Sequence, residues 1–138
     1  MRVLIVDDDP DLRASIADGL QLLGGYEVLL AQDGAEGLEM YVREGPDCVI
    51  VDIRMPDING YQMIRAIRGD PSSAQTPIVV LSALVQPTDQ IIGQLSGADV
   101  YLFKPVDIET LVQEVELAIQ MTPESRKERI KRLAEEQP

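Results

Sequence analysis

Short apolar runs recur along the chain, and four of them stop at a polar residue able to hold phosphate or metal: VLIV before Asp7, CVIV before Asp52, IVVL before Ser82 and VYLF before Lys104. Runs of four or five, rich in Val and Ile and flanked by polar residues or Pro, read as strands buried on both faces. Tyr26 to Ala31 supplies a further strand after the first. Between the strands the apolar spacing becomes helical. A helix from Asp9 to Leu23 presents Leu12, Ile16, Leu20 and Leu23 and is closed by Gly24-Gly25. Another, capped by Asp33, presents Ala35, Leu38 and Val42 and stops near Gly45-Pro46. Met63, Ile64 and Ile67 mark a third helix, a fourth is predicted from Pro87 or Thr88 to Gly97, and Ile108, Leu111, Val115 and Ile119 mark the last. The stretch from Pro71 to Pro77 is polar and turn-rich.

Alternating strands and helices without an internal repeat predict an α/β domain: a doubly wound, five-stranded parallel sheet in the order 2-1-3-4-5, with helices on both faces. All strands then point the same way, and the residues that follow them gather along one carboxyl edge, where open α/β sheets bind ligands. In that order the first and third strands are neighbours, so Asp7, Asp8 and Asp52 are predicted to meet at the switch point.

The 138 residues suit one domain, and 45% apolar residues suffice for a core. A formal charge of −12 argues against direct binding of nucleic acid, because each extra carboxylate repels a phosphate backbone. Cys48 is the sole cysteine and lies inside an apolar run, so it reads as core packing with no disulfide. No apolar stretch approaches the ~18 to 20 residues of a membrane span. A cytoplasmic domain without membrane association is the expectation. Residues 123 to 138 hold five of the twelve basic residues and four acids. Pro123 suits a helix start, Glu128 and Arg132 can pair at i,i+4, and Ile130, Leu133 and Ala134 form a weak apolar stripe. The reading is a folded body over 1–121 followed by a charged helix or linker over 122–138.

Three clustered carboxylates need a cation or a shared proton, since two like charges about 4 Å apart repel by roughly 4 kcal/mol at an effective dielectric of 20. Hard oxygen ligands without histidine suit Mg²⁺. Such an ion leaves coordination positions for a phosphoryl oxygen, and Lys104 adds a second positive contact. A carboxylate can itself attack phosphorus and form an acyl phosphate. Asp52 is best placed for that role at the end of the central strand, whereas adjacent Asp7 and Asp8 are better suited to metal. Ser82 can hydrogen-bond the new phosphoryl group.

The segments LIVDDD at 4–9, VDIRMPDING at 51–60, LSA at 81–83 and YLFKP at 101–105 together resemble the receiver domain of two-component response regulators, the CheY-like fold. The resemblance spans about residues 2 to 120. It implies that Asp52 accepts a phosphoryl group from a phosphohistidine on a sensor histidine kinase or phosphotransfer protein. It also implies that Asp8, Asp52 and the backbone carbonyl of Arg54 ligate Mg²⁺ directly, with Asp7 acting through water. Ser82 becomes the switch hydroxyl, Lys104 the phosphate-binding lysine and Tyr101 the aromatic that changes rotamer, and Pro105 follows a cis peptide bond. Kinase docking is implied on the first helix, where Asp11, Ala14, Ser15 and Asp18 are candidate contacts. Output to an unknown downstream protein or domain is implied on the helix over 87–97, the fifth strand and the last helix. Arg54 and Leu84 hold the two positions that tune phosphate lifetime in the family. Val100 stands where DNA-binding receivers that dimerise through this surface usually carry Asp, and the last helix has no Lys or Arg.

Taken singly, each residue has an ordinary explanation. Asp7 to Asp9 could be a helix cap, Asp52 and Ser82 strand-end and turn residues, Lys104 a surface lysine and Tyr101 a packed strand residue. Packing does not require all of them at the ends of four strands. Three other functions share features of the pattern. A phosphorylation-independent pseudo-receiver would have the same fold, but that reading normally goes with a missing acceptor or metal ligand. An aspartate-nucleophile phosphatase would use Asp7-Asp8-Asp9 as DxD but needs Thr or Val where Asp11 stands, and more chain. A flavodoxin-like cofactor site would be repelled by three aspartates in its phosphate loop.

Overall fold

The computed structural model describes residues 1–53, 59–83 and 97–122, and positions 124, 125, 127, 128, 131 and 135 of the tail. Arg54, Met55, Pro56, Leu84, the predicted helix up to residue 96, and Pro123, Ile130, Arg132, Leu133 and Ala134 lie outside the described residues. Among the described residues the elements in chain order are β1 (Arg2–Val6), α1 (Pro10–Gly24), β2 (Glu27–Ala31), α2 (Gly34–Glu44), β3 (Cys48–Asp52), α3 (Gly60–Gly69), β4 (Ile78–Ser82), β5 (Val100–Phe103) and α4 (Ile108–Gln120). The sheet has the expected order, β2-β1-β3-β4-β5, and every pairing is parallel.

Each central strand is apolar on both faces because each face meets a different helical layer. Val3 and Ile5 of β1 join the core built with Ile16 and Leu20 of α1 and Leu111 and Val115 of α4. Leu4 and Val6, one residue out of phase, join the core with Met63, Ile64 and Ile67 of α3. Burying each such side chain contributes about 1.5–3 kcal/mol, so the runs commit the strands to the centre of the sheet.

Polar residues set the helix starts. Asp9 caps α1 by accepting from the Asp11 and Leu12 amides at 3.0 and 3.3 Å, and Pro10 opens the helix. Asp33 caps α2, Asp107 caps α4, and Asn59 forms a reciprocal capping box with Gln62 at α3. Gly25, at φ +67°, closes α1 in the left-handed region that glycine favours.

Two helix faces differ from the periodicity reading. In α2, Ala35 and Val42 point outward, Val42 being 83% exposed, while Gly34 and Gly37 are buried. The helix approaches the sheet backbone-first: a Cβ on Gly37 would lie 2.9 Å from Val6 Cγ2 and 3.1 Å from Met63 Cε. A glycine contact turns the apolar stripe aside, and hydrophobic spacing cannot register it. In α1, Leu23 is exposed, and Ala17 and Gly19 join the buried face. The Tyr26 ring folds back against Gly24 and fills the place at the helix end.

Candidate functional site

Parallel register brings the strand ends together. Val6 pairs with Val51, Asp52 with Leu81 and Ser82 with Phe103, so Asp7, Asp52, Ser82 and Lys104 follow in sequence along one edge. Carboxylate oxygens of Asp7, Asp8 and Asp52 lie within 4.8 Å of one another. Asp7 and Asp52 are buried, and Asp8 is exposed. The Lys104 ammonium donates to Asp52 Oδ2 at 2.9 Å and to Asp7 Oδ2 at 3.1 Å.

The three consecutive aspartates divide their work. Asp9 is spent on the helix cap and Asp8 faces outward toward the cluster. Asp7 accepts from the Asp9 amide at 2.9 Å and holds its carboxylate inside. Burial raises the pKa of Asp7 above the ordinary carboxylate value, and the charge of Asp52 adds to that, outweighing the Asp9 amide and Lys104, which act the other way. For Lys104, burial acts to lower the pKa, but the hydrogen bond and charge of Asp52, followed by those of Asp7, outweigh it and raise the ammonium above its ordinary value. A buried acid pushed toward its neutral form, beside two further carboxylates, is a set of hard oxygens short of positive charge, which fits a divalent cation such as Mg²⁺.

Ser82 is fully buried at the end of β4, and its carbonyl accepts from the Lys104 amide at 2.8 Å, which ties the serine and lysine strand ends together. The Lys104–Pro105 peptide bond is cis. Tyr101 is buried with its ring edge-on to Phe103, centroids 5.4 Å apart. Its hydroxyl is buried with no hydrogen-bond partner among the described residues. Asp11, Ala14, Ser15 and Asp18 are all exposed on α1. Arg54, expected to offer its carbonyl to the metal, lies outside the described residues.

Three contacts escaped the sequence reading, which took Gly60 only as a turn residue of the loop that presents Asp52. Gly60 allows the start of α3 to abut the backbone of Asp52 and Ile53, and its amide donates to the Ile53 carbonyl at 3.1 Å. Arg13 Nη1 donates to the Asp7 carbonyl at 2.6 Å, six residues along the chain, with no motif to announce it. On the opposite edge of the sheet, Arg68 pairs with buried Asp99 at 2.9 Å and also donates to the carbonyls of Gly97, Ala74 and Thr76. A signal for Arg68 existed, since it stands four residues after Ile64 on the apolar stripe of α3.

A doubly wound parallel sheet carrying an acidic cluster and a lysine on its carboxyl edge defines the class of protein. Residues 3–116 match the response regulator receiver domain family, and the chain belongs to it. Protein PilH of Pseudomonas aeruginosa is 38% identical over 114 residues, covering 83% of this chain and 93% of that protein. The DNA-binding dual master transcriptional regulator RpaA of Synechocystis sp. is 36% identical over 121 residues, 88% of this chain and 50% of RpaA. PrrA of Mycobacterium tuberculosis, a transcriptional regulatory protein, is 42% identical over 114 residues, 83% of this chain and 48% of its own. The chain thus spans about half the length of RpaA and PrrA. Among solved structures, chemotaxis protein CheY4 of Vibrio cholerae superposes with a TM-score of 0.78 at 33% identity, covering 85% of this chain and 97% of that one. The BeF3-activated receiver domain of Klebsiella pneumoniae RstA gives 0.80 at 29% identity, covering 88% and 100%. Phosphorylation-based switching is the general function of the family. Receiver domains generally bind Mg²⁺ at an acidic pocket and interact with histidine kinases and output domains. No helix among the described residues is long and apolar enough to cross a membrane.

Proposed function

We propose that Asp52 is the phosphoryl acceptor of this receiver and that its donor is a phosphohistidine on a sensor kinase or phosphotransfer protein. One observation carries the reading: a single ammonium, Lys104, reaches both Asp52 and Asp7 while Asp8 closes the same cluster. In the transfer, an Asp52 oxygen bonds to phosphorus, the P–N bond breaks, and the imidazole leaves with the electron pair and takes up a proton. Asp8, Asp52 and the Arg54 carbonyl would hold Mg²⁺, with Asp7 acting through water, and the ion supplies neutralising charge for the phosphoryl oxygens. Lys104 exchanges its contact with Asp52 for a phosphoryl oxygen, and Ser82 donates to another.

Those new contacts pull on β4 and β5, which the Lys104 amide already joins to Ser82. The output surface is then the segment over 87–97, β5 and α4, with Tyr101 as the reporting side chain. The exposed residues Asp11, Ala14, Ser15 and Asp18 of α1 are the docking side for the donor. Residues 1–121 form the working unit and 122–138 a charged helix or linker. The domain acts in the cytoplasm, and its excess of carboxylates directs it to proteins rather than to nucleic acid.

Intact-mass measurement after incubation with a small phosphodonor and Mg²⁺ tests the acceptor. Wild type is expected to gain one phosphoryl group and Asp52→Ala none; equal labelling removes Asp52 from the role.

A further inference from the structure

Arg13 sits against the acidic site. Its Nη1 holds the Asp7 carbonyl at 2.6 Å, and the Asp7 amide donates to the Ala31 carbonyl at 3.2 Å. Arg13 and Ala31, with Leu30, Gln32 and Glu36, line a cavity of about 300 Å³. This cavity therefore abuts the backbone of Asp7 on its β2 side. Four described cations are part-buried: Arg2, Arg13, Arg68 and Lys104. Arg2 pairs with Glu27 and Glu44, Arg68 with Asp99, and Lys104 with Asp7 and Asp52. Arg13 is the one of the four with no carboxylate partner among the described residues. That is so in a chain with twice as many acids as bases, and although Glu36 lines the same cavity.

The strand order sets the two site cations on opposite flanks: Lys104 follows β5, the Arg13 cavity lies at the end of β2, and Asp7 and Asp52 stand between them. We infer that Arg13 receives the anionic leaving group of a small acyl phosphate, while Lys104 serves the phosphoryl group itself. The inference rests on Asp52 being the acceptor. In such a transfer an Asp52 oxygen bonds to phosphorus, the bond from phosphorus to the acyl oxygen breaks, and the electron pair departs on the acyl carboxylate; no proton moves. Negative charge builds on the leaving oxygen, and a guanidinium fork matches the carboxylate produced. With phosphoramidate the bond broken is P–N and the leaving group is neutral ammonia, which offers Arg13 no charge to hold. Arg13 thus acts on the leaving group's charge, an interaction that grows during the transfer and so raises rate rather than affinity alone.

The test compares labelling rates of the full chain by acetyl phosphate and by phosphoramidate, with Mg²⁺, read by intact mass. Arg13→Ala is expected to lower the ratio of the two rates about tenfold, the scale of one hydrogen bond to a charged group. Arg13→Lys, which keeps the charge without the fork, falls between. Glu36→Gln removes an opposing charge from the cavity and is expected to raise the ratio. Because each variant is its own control through the second donor, a damaged fold does not mimic the effect. An unchanged ratio in Arg13→Ala overturns the inference and leaves Arg13 as a support for the Asp7 backbone. Failure of both donors to label wild-type Asp52 overturns the acceptor reading itself.

Discussion

Gly60 and Asp52 meet backbone to backbone: a Cβ on Gly60 would lie 2.6 Å from the Asp52 carbonyl oxygen and 2.8 Å from the Ile53 Cα. The first turn of α3 is thereby seated directly on the end of the strand that carries the acidic site. Both nearest atoms are backbone and cannot rotate away. Gly60→Ala is expected to cost about 1–3 kcal/mol in urea denaturation, the range of an overpacked contact, and to slow labelling of Asp52 as that strand end moves. Unchanged stability and rate together would mean that α3 is not seated against Asp52.

Asp7 links the site to pH. Its pKa is raised by burial first and by Asp52 second. Below the ordinary aspartate value of about 3.9, folded and unfolded chains both hold the proton. As pH rises from there through the raised folded value, the unfolded chain releases its proton first, so stability falls and the deficit remains at neutral pH. Asp7→Asn is expected to flatten this part of the curve for the metal-free protein and to be the more stable of the two at neutral pH. Mg²⁺ at ten times its Kd adds about 1.4 kcal/mol to wild type, and less to the variant if Asp7 helps to hold the ion. Denaturation curves across the acid range, with and without Mg²⁺, check both.

Arg68 and Asp99 pair on the edge of the sheet away from the site, and Asp99 Oδ2 also accepts from the Ile78 amide at 2.8 Å. Arg68→Met leaves a buried carboxylate uncompensated, at an expected cost of about 3 kcal/mol. Adding Asp99→Asn removes the charge and keeps an acceptor for Ile78, so the double variant is expected to recover part of that loss. Additive losses would show that the two residues are uncoupled.

The Tyr101 hydroxyl is buried without a partner among the described residues. Tyr101→Phe keeps the ring beside Phe103 and discards an unsatisfied polar atom. The expected gain is about 1 kcal/mol, read as a higher denaturation midpoint at unchanged slope. A loss instead would show that the hydroxyl finds a partner in solution.

Much of this protein was legible along the chain. The runs VLIV, CVIV, IVVL and VYLF read as buried strands because four or five apolar residues in succession, rich in Val and Ile and flanked by polar residues, suit the length and two-sided cover of a strand in a parallel sheet. Five strands separated by helix-length segments admit few unknotted arrangements, and 2-1-3-4-5 is one of the common doubly wound orders among them. The parallel direction then puts Asp7, Asp52, Ser82 and Lys104 on one edge. Asp9 and Asp33 announced helix starts because a carboxylate there satisfies amides the helix leaves unpaired, whereas the Asp107 cap of α4 is seen only in the structure.

Other features were decided by close approach in three dimensions. The inward face of α2 is set by Gly37 against Val6 and Met63, a backbone contact that has no hydrophobic signature, so Ala35 and Val42 were misassigned. Arg13 on the Asp7 carbonyl, Gly60 against Asp52 and Arg68 in its nest of carbonyls depend on which backbone atoms come near which side chain. Apolar periodicity records how much of a residue is hidden from water and therefore predicts layers. Hydrogen bonds and glycine contacts record where single atoms stand, and that is known only once the layers have packed.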